Sequence, residues 1–208
     1  MLAYSIIIFA GVLLSVLINI IKFAPQNAPY GDLALWILIS ILICGLSSGL
    51  ICIITRLLPK SVFNPHRRRF RTFAVEANIY KRLGVKGWKA FVPDLGKLSG
   101  LEKNKITQPN NPEYLEKFLI ENCIAECLHF WSFISGSLIF FFLPGKYAIS
   151  IGVIIFYTNA ILHILPIFIQ RYVRPKMLKI YDRLVEKQRN SAEIFANDDQ
   201  ENVGYKKA

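Results

Sequence analysis

The chain has 208 residues, 53% of them apolar, with a mean hydropathy of +0.38 and a formal net charge of +11. A soluble domain of this length seldom gathers so much apolar sequence into long blocks, so the composition argues against a water-soluble enzyme. It argues equally against a nucleic-acid partner, because the basic residues flank apolar blocks and no nucleic-acid motif accompanies them.

Four blocks, 2–21, 33–58, 118–143 and 148–169, reach the ~20 apolar residues that a bilayer crossing needs. The first has no basic n-region and no small-x-small cleavage site, so it reads as a retained span rather than a secretory leader. Its polar residues are few, chiefly Ser5, Ser15 and Asn19. Pro25, Pro29 and Gly31 turn the chain into the second block, where Gly45, Ser47, Ser48 and Gly49 offer small side chains for close helix approach. Both blocks read as scaffold. Thirteen Lys/Arg against five Asp/Glu lie in 60–117, and nine against six lie from Arg171 onward, whereas the other two connections carry almost no charge. Positive charge stays in the cytosol. The expectation is an all-α integral membrane protein of four spans, both termini inside, in the cytoplasmic membrane. Residues 1–190 then form one membrane domain, with a basic cytosolic loop at 60–117.

Within that loop Asn64-Pro65 breaks the chain. Phe70, Phe73, Ala77 and Tyr80, with Ile79 and Leu83 nearby, recur at helical spacing, and Gly84 supplies a stop. Arg67, Arg68, Arg69, Arg71, Lys81 and Arg82 surround them, the pattern of a basic amphipathic helix lying in the interface plane. Residues 85–100 read as an irregular loop over the membrane surface, with Trp88 at headgroup level. Asn111-Pro112-Glu113 is a helix start: Asn as N-cap, Pro at the first helical position, acid in the first turn. The helix should run to about residue 142, roughly 46 Å, so its first turns project beyond a ~30 Å hydrocarbon core. The last block carries Asn159 and His163, then Pro166, which should kink it. It exits through Arg171 and Arg174 into a basic helix, and 191–208 reads as a flexible polar tail.

Asn122, Glu126 and His129 stand at i, i+4 and i+7 and share one face of the third span. Ionisable groups there are costly without a partner or a task. A carboxylate beside an imidazole fixes its tautomer and raises its basicity, so Glu126 and His129 can take a proton from a hydroxyl that attacks an activated acyl group. Two other readings of the same residues stand beside this one. The pair can be a structural hydrogen-bonding element, meeting Asn159 or His163 on the neighbouring span. Alternatively Glu126, His129 and His163 can form a carboxylate-plus-two-imidazole metal set. Three histidines are too few for a membrane di-iron enzyme, and there is no HExxH, Gly-rich phosphate loop or DDxxD cluster. Cys44, Cys52, Cys123 and Cys127 all fall inside spans without metal-site spacing and read as small apolar residues.

Four stretches in order, NPHRRRF (64–70), YKRLGVKGWKAFVPDLG (80–96), PEYLEKFLIENCIAECLHF (112–130) and LPIFIQRYVRPKML (165–178), resemble the glycosyl-4,4'-diaponeurosporenoate acyltransferase family of small bacterial membrane proteins. The matching positions are Trp88, Lys89, Pro93, Asp94 and Gly96; Glu121, Glu126 and His129; and Gln170, Arg171, Tyr172, Arg174 and Pro175. Val173, Phe130 and Ile164 depart from the family pattern. The resemblance implies fatty acyl transfer to a sugar hydroxyl of a lipid-linked glycoside such as a glycosylated carotenoid acid. On this reading His129 is the base and Glu126 orients it. Glu121, Asn122, Trp88, Lys89, Asp94, Asn159, His163, Arg171 and Arg174 are expected to contact substrate. No metal or cofactor is called for beyond the donor, acyl-CoA or acyl carrier protein, whose anionic groups the basic face attracts; membrane lipids are the other partners. A non-catalytic lipid-binding or scaffolding bundle, or a transferase for another polyprenyl lipid, is the alternative.

Overall fold

A computed structural model describes residues 2–23, 30–93 and 106–205, which are helical with no strand among them. Helix α1 spans Leu2–Phe23 and α2 spans Tyr30–Leu57. Two short helices, α3 (Ala74–Arg82) and α4 (Val85–Trp88), lie in the following connection. Helix α5 runs Pro112–Ser135, continues through a 3-10 turn at Gly136–Leu138, and ends as α6, Ile139–Phe142. A short turn, α7 (Gly145–Tyr147), and a π-helical stretch at Ala148–Val153 lead into α8, Ile154–Tyr205. Four helical stretches, Leu2–Phe23, Gly31–Leu57, Pro112–Phe142 and Gly145–Ile194, are long and apolar enough to cross a membrane.

The start of α5 follows the sequence signal: the Asn111 side-chain oxygen accepts from the Tyr114 N–H at 3.2 Å, and Pro112 occupies the first turn. The fourth stretch is longer than its apolar block. Helix α8 continues past residue 169, contains both Pro166 and Pro175, and runs to Tyr205. Between Lys176 and Ile194 there is neither Gly nor Pro, and most residues are good helix formers. Leaving the membrane changes the solvent around side chains, but a helix satisfies its backbone on either side.

The polar residues of α1 answer a defect in its neighbour. A π-helical turn loosens the backbone ladder. Here the Ser150 carbonyl accepts from Ser15 Oγ at 3.2 Å and from Asn19 Nδ2 at 3.1 Å, while Ser150 Oγ donates to Asn19 Oδ1 at 2.7 Å. Close helix approach also occurs where the sequence reading did not place it. A methyl added at Gly11 would overlap the Thr158 side chain, whereas one at Gly45 or Gly49 meets nothing within 4 Å. The two glycines of α2 therefore border open space, while Ser47 and Ser48 between them face Ser135 of α5 and His163 of α8.

The basic connection packs mainly on protein. Phe63 and Phe70 are buried against Cys123 and Ile124 of α5. Tyr80 and Val85 are buried with Phe118, Ile169 and Val173, and Trp88 packs beside them. Phe73, Ile79 and Leu83 stay exposed, whereas Phe70 and Tyr80 of the same apolar set turn inward. The reason is an inward alternative: Tyr80 Oη donates to Glu76, and its ring packs against that of Phe168 with centroids 5.6 Å apart. Gly84 adopts φ 63° and ends α3. Residues 85–91, predicted irregular, form α4 and a 3-10 turn.

Candidate active site

The face of α5 that carries Asn122, Glu126 and His129 packs against α8. Two polar centres lie along that seam. At one end Arg174, only 1% exposed, donates Nε to Asn122 Oδ1 at 2.8 Å, Nη1 to the Phe70 carbonyl at 2.8 Å, and Nη2 to Glu126. Arg171 donates Nη1 to Glu126 Oε1 at 2.7 Å and clasps both oxygens of Glu76 at 2.7 Å. Its Nη2 also reaches the Arg71 carbonyl at 3.2 Å. Two carboxylates thus balance two guanidiniums, and the cluster pins residues 70–76 onto α5 and α8. Charge pairing of this completeness is what makes burial of the arginines tolerable.

Glu76 sits in this clasp as the acid of α3's first turn, where it also accepts from the Phe73 N–H at 3.2 Å. Hydrogen bonds from Arg171 lower its carboxyl to about 2; partial burial opposes this, and bonds from Tyr80 and the Phe73 backbone assist. Burial, aided by the neighbouring Glu76 carboxylate, pushes the Tyr80 hydroxyl up to about 12. Glu76 was not singled out from sequence. The signal available was its position, the acid three residues after Phe73 in a segment otherwise crowded with bases.

The second centre is a pair of imidazoles. His129 Nδ1 lies 3.0 Å from His163 Nδ1, with ring centroids 5.3 Å apart. His163 Nε2 faces Ser48 Oγ of α2 at 3.5 Å. His163, Ser48 and Asn159 line a half-open cleft of about 240 Å³ between α1, α2 and α8, whose other walls are mostly aliphatic, including Ile8, Val12, Ile41 and Leu162. The Asn159 amide donates to the Ser132 carbonyl at 3.2 Å and carries a second hydrogen. His163 and Arg171 are eight positions apart on α8, about 12 Å along the axis at 1.5 Å per residue, so the imidazole pair and the clasp are separate centres on one seam.

The expected site residues therefore divide. Asn122, Glu126, Arg171 and Arg174 meet in the clasp, where both oxygens of Glu126 are engaged by arginines. His129, His163 and Asn159 gather at or beside the cleft. Glu121 lies apart, accepting from Arg56 of α2 at 2.8 Å. Trp88 donates Nε1 to the Leu83 carbonyl at 2.9 Å and packs in the aromatic cluster under α4, with Lys89 next to it at the start of the 3-10 turn. Asp94 lies outside the described residues. Ser48 belongs to the stretch that reads as scaffold; on α2 alone it is one of four small residues in 45–49, and only the packing brings an imidazole to it.

The glycosyl-4,4'-diaponeurosporenoate acyltransferase family model matches residues 59–183, which include the clasp and both imidazoles. The α1–α2 hairpin lies outside the match. No curated protein and no solved structure matches the chain.

Proposed function

Because the chain belongs to the glycosyl-4,4'-diaponeurosporenoate acyltransferase family, we propose that it transfers a fatty acyl group from an anionic acyl thioester to a sugar hydroxyl of a lipid-linked glycoside, such as a glycosylated carotenoid acid. The observation that carries this reading is the His129–His163 pair beside an apolar cleft. Acyl transfer to a hydroxyl needs a base in reach of that hydroxyl and an apolar channel for the chain. Two Nδ1 atoms 3.0 Å apart hold one hydrogen between them, so one ring donates and the other accepts. The donating ring keeps its Nε2 as an acceptor, and the partner imidazole stabilises the positive charge that develops there. The base takes the hydroxyl proton as the oxygen bonds to the thioester carbonyl carbon. The carbon–sulfur bond then breaks and the thiolate receives the proton. Asn159, which lines the cleft, is the nearby amide that could serve as a donor for the developing oxyanion.

The clasp has a supporting task on this reading. Glu126, Arg171 and Arg174 hold α3 and α4 over the α5–α8 seam, and with them Trp88 and Lys89. The exposed Arg67, Arg68, Lys81, Arg82 and Lys86 provide the field that gathers a phosphate-bearing donor. On this reading the chain lies in the cytoplasmic membrane with its basic face in the cytosol, where acyl-CoA and acyl carrier protein occur.

The test is a comparison of lipid extracts from a host that makes the glycoside, with and without the gene. His129→Ala and His163→Ala should each lower the acylated product by about 10²–10⁴-fold with little change in melting temperature. A wild-type extract identical to that of the empty host refutes the acyltransferase reading. Unchanged product in both variants refutes the role of the imidazoles. A non-catalytic bundle predicts loss of stability instead.

A further inference from the structure

We infer that Ser48 is the nucleophile of a two-step transfer and carries the acyl group as an ester while the chain lies in the cleft between α1, α2 and α8. The inference rests on the acyl-transfer reading and specifies its chemistry. Ser48 falls outside residues 59–183, so the family resemblance says nothing about it.

Three observations meet at this side chain. Ser48 Oγ is 3.5 Å from His163 Nε2, and His163 Nδ1 is 3.0 Å from His129 Nδ1. If Ser48 donates its proton to Nε2, His163 must carry its hydrogen on Nδ1, and that hydrogen points at His129 Nδ1. One tautomer therefore serves both contacts, and the line Ser48–His163–His129 has the nucleophile, base and orienter of a triad, with an imidazole in the third position. The second observation is the cleft itself. Ser48, Gly45 and Cys44 lie on one face of α2 and all line it, alongside Ile8, Val12 and Leu162. A long hydrocarbon chain is the ligand that such a wall suits, and the hydroxyl and imidazole stand on that wall. The third is room. Nothing lies within 4 Å of a methyl built on Gly45, one turn from Ser48. The carbonyl carbon of a thioester can therefore approach Oγ from the cleft side.

The steps balance without a further reagent. Ser48 Oγ bonds to the thioester carbonyl carbon as His163 Nε2 takes its proton. The carbon–sulfur bond breaks, the thiolate takes that proton and the thiol departs. The acceptor hydroxyl then gives its proton to His163 Nε2 while its oxygen bonds to the ester carbonyl carbon. The bond to Ser48 Oγ breaks, and Oγ recovers the proton. His129 holds the imidazole in the required tautomer and is a positioning residue in this scheme.

The experiment uses the purified full-length chain with palmitoyl-CoA, and in parallel with a palmitoylated acyl carrier protein, in the absence of any acceptor. Intact-protein mass spectrometry should find one acyl group added, mapped by peptide analysis to Ser48. Ser48→Ala should lose the adduct and lower transfer to the glycoside at least about 100-fold. Ser48→Cys should form an adduct that neutral hydroxylamine releases, as a thioester requires. Ser47→Ala, whose native hydroxyl pairs with Ser135 at 3.1 Å, should keep the adduct. The inference is overturned if no adduct forms with either donor, if it maps elsewhere, or if Ser48→Ala transfers at the wild-type rate. Absence of the adduct with transfer intact leaves the acyltransferase reading standing and favours direct attack by the acceptor. Absence of both removes the two together.

Discussion

Glu126→Gln keeps the size and shape of the side chain and removes the charge that Arg171 and Arg174 share. Arg171 retains both oxygens of Glu76 and is 16% exposed on its side chain, so it keeps a counter-ion and some access to water. Arg174 is different. Its side chain is 1% exposed, and without Glu126 its remaining acceptors are the neutral Asn122 amide and the Phe70 carbonyl. At 2.7 Å and an effective dielectric of 20 one such pair has a gross attraction of about 6 kcal/mol. The cost of dehydrating the carboxylate, which the variant no longer incurs, offsets part of this. The net loss on breaking a buried pair by removing one partner is about 3–5 kcal/mol. For a chain of this length each kcal/mol moves the melting temperature by about 2–4 °C, so the expected drop is about 6–20 °C. Thermal melts of detergent-purified protein, followed by tryptophan fluorescence, measure it. Glu126→Gln/Arg174→Met, which removes both charges, should recover most of the loss, because replacing a buried pair by apolar groups is often neutral. A single variant that melts within about 2 °C of wild type would refute the argument. So would a double variant worse than the sum of its parts. Transfer activity measured well below the variant's melting temperature separates the clasp from the carboxylate–imidazole dyad expected from sequence: the clasp predicts that most activity survives, the dyad that it does not.

The depressed carboxyl of Glu76 makes the clasp sensitive to acid. A group whose folded-state value lies below its ordinary one stabilises the fold above the ordinary value, 4.5 here, and loses that contribution as the pH falls toward about 2. The melting temperature of wild type should therefore fall across this interval, and that of Glu76→Gln should be lower at neutral pH but flatter below 4.5; parallel profiles would contradict the Glu76–Arg171 contact. Asn19→Leu removes hydrogen bonds that answer the widened turn around Ser150, and should cost about 1–3 kcal/mol in reversible unfolding with no effect on the mass adduct expected at Ser48. Stability equal to wild type would show that the π-helical turn needs no partner from α1.

Much of the architecture was legible because each signal is local or concerns solvent alone. Hydrocarbon admits only helices here, so four apolar blocks of sufficient length suffice to count the spans. Asn111-Pro112 starts α5 because the cap needs nothing more distant than Tyr114, and Gly84 ends α3 because a left-handed residue suits glycine anywhere. The polar stripe Asn122, Glu126 and His129 was visible too, since spacing on one helix decides which side chains share a face.

Which groups that stripe would meet was visible only in part: His163 stood among the alternatives for the pair, the arginine clasp on Glu126 did not. Glu126 and His129 are neighbours in sequence, yet the carboxylate binds arginines 45 and 48 positions away, and the imidazole meets His163 34 positions away. Spacing along α5 says nothing about the rotation and register of α8 against it, and these decide that Arg171 and Arg174 reach the carboxylate first. A guanidinium offers Glu126 a permanent full charge and several donors. Ser48 is the extreme instance, 115 positions from the imidazole it faces. The chain alone determined that polar chemistry is buried in a membrane bundle. The packing of α2, α5 and α8 decided how it is shared between a charged clasp and an imidazole pair, because low-dielectric burial gives each polar group a strong preference among partners that only the folded bundle brings within reach.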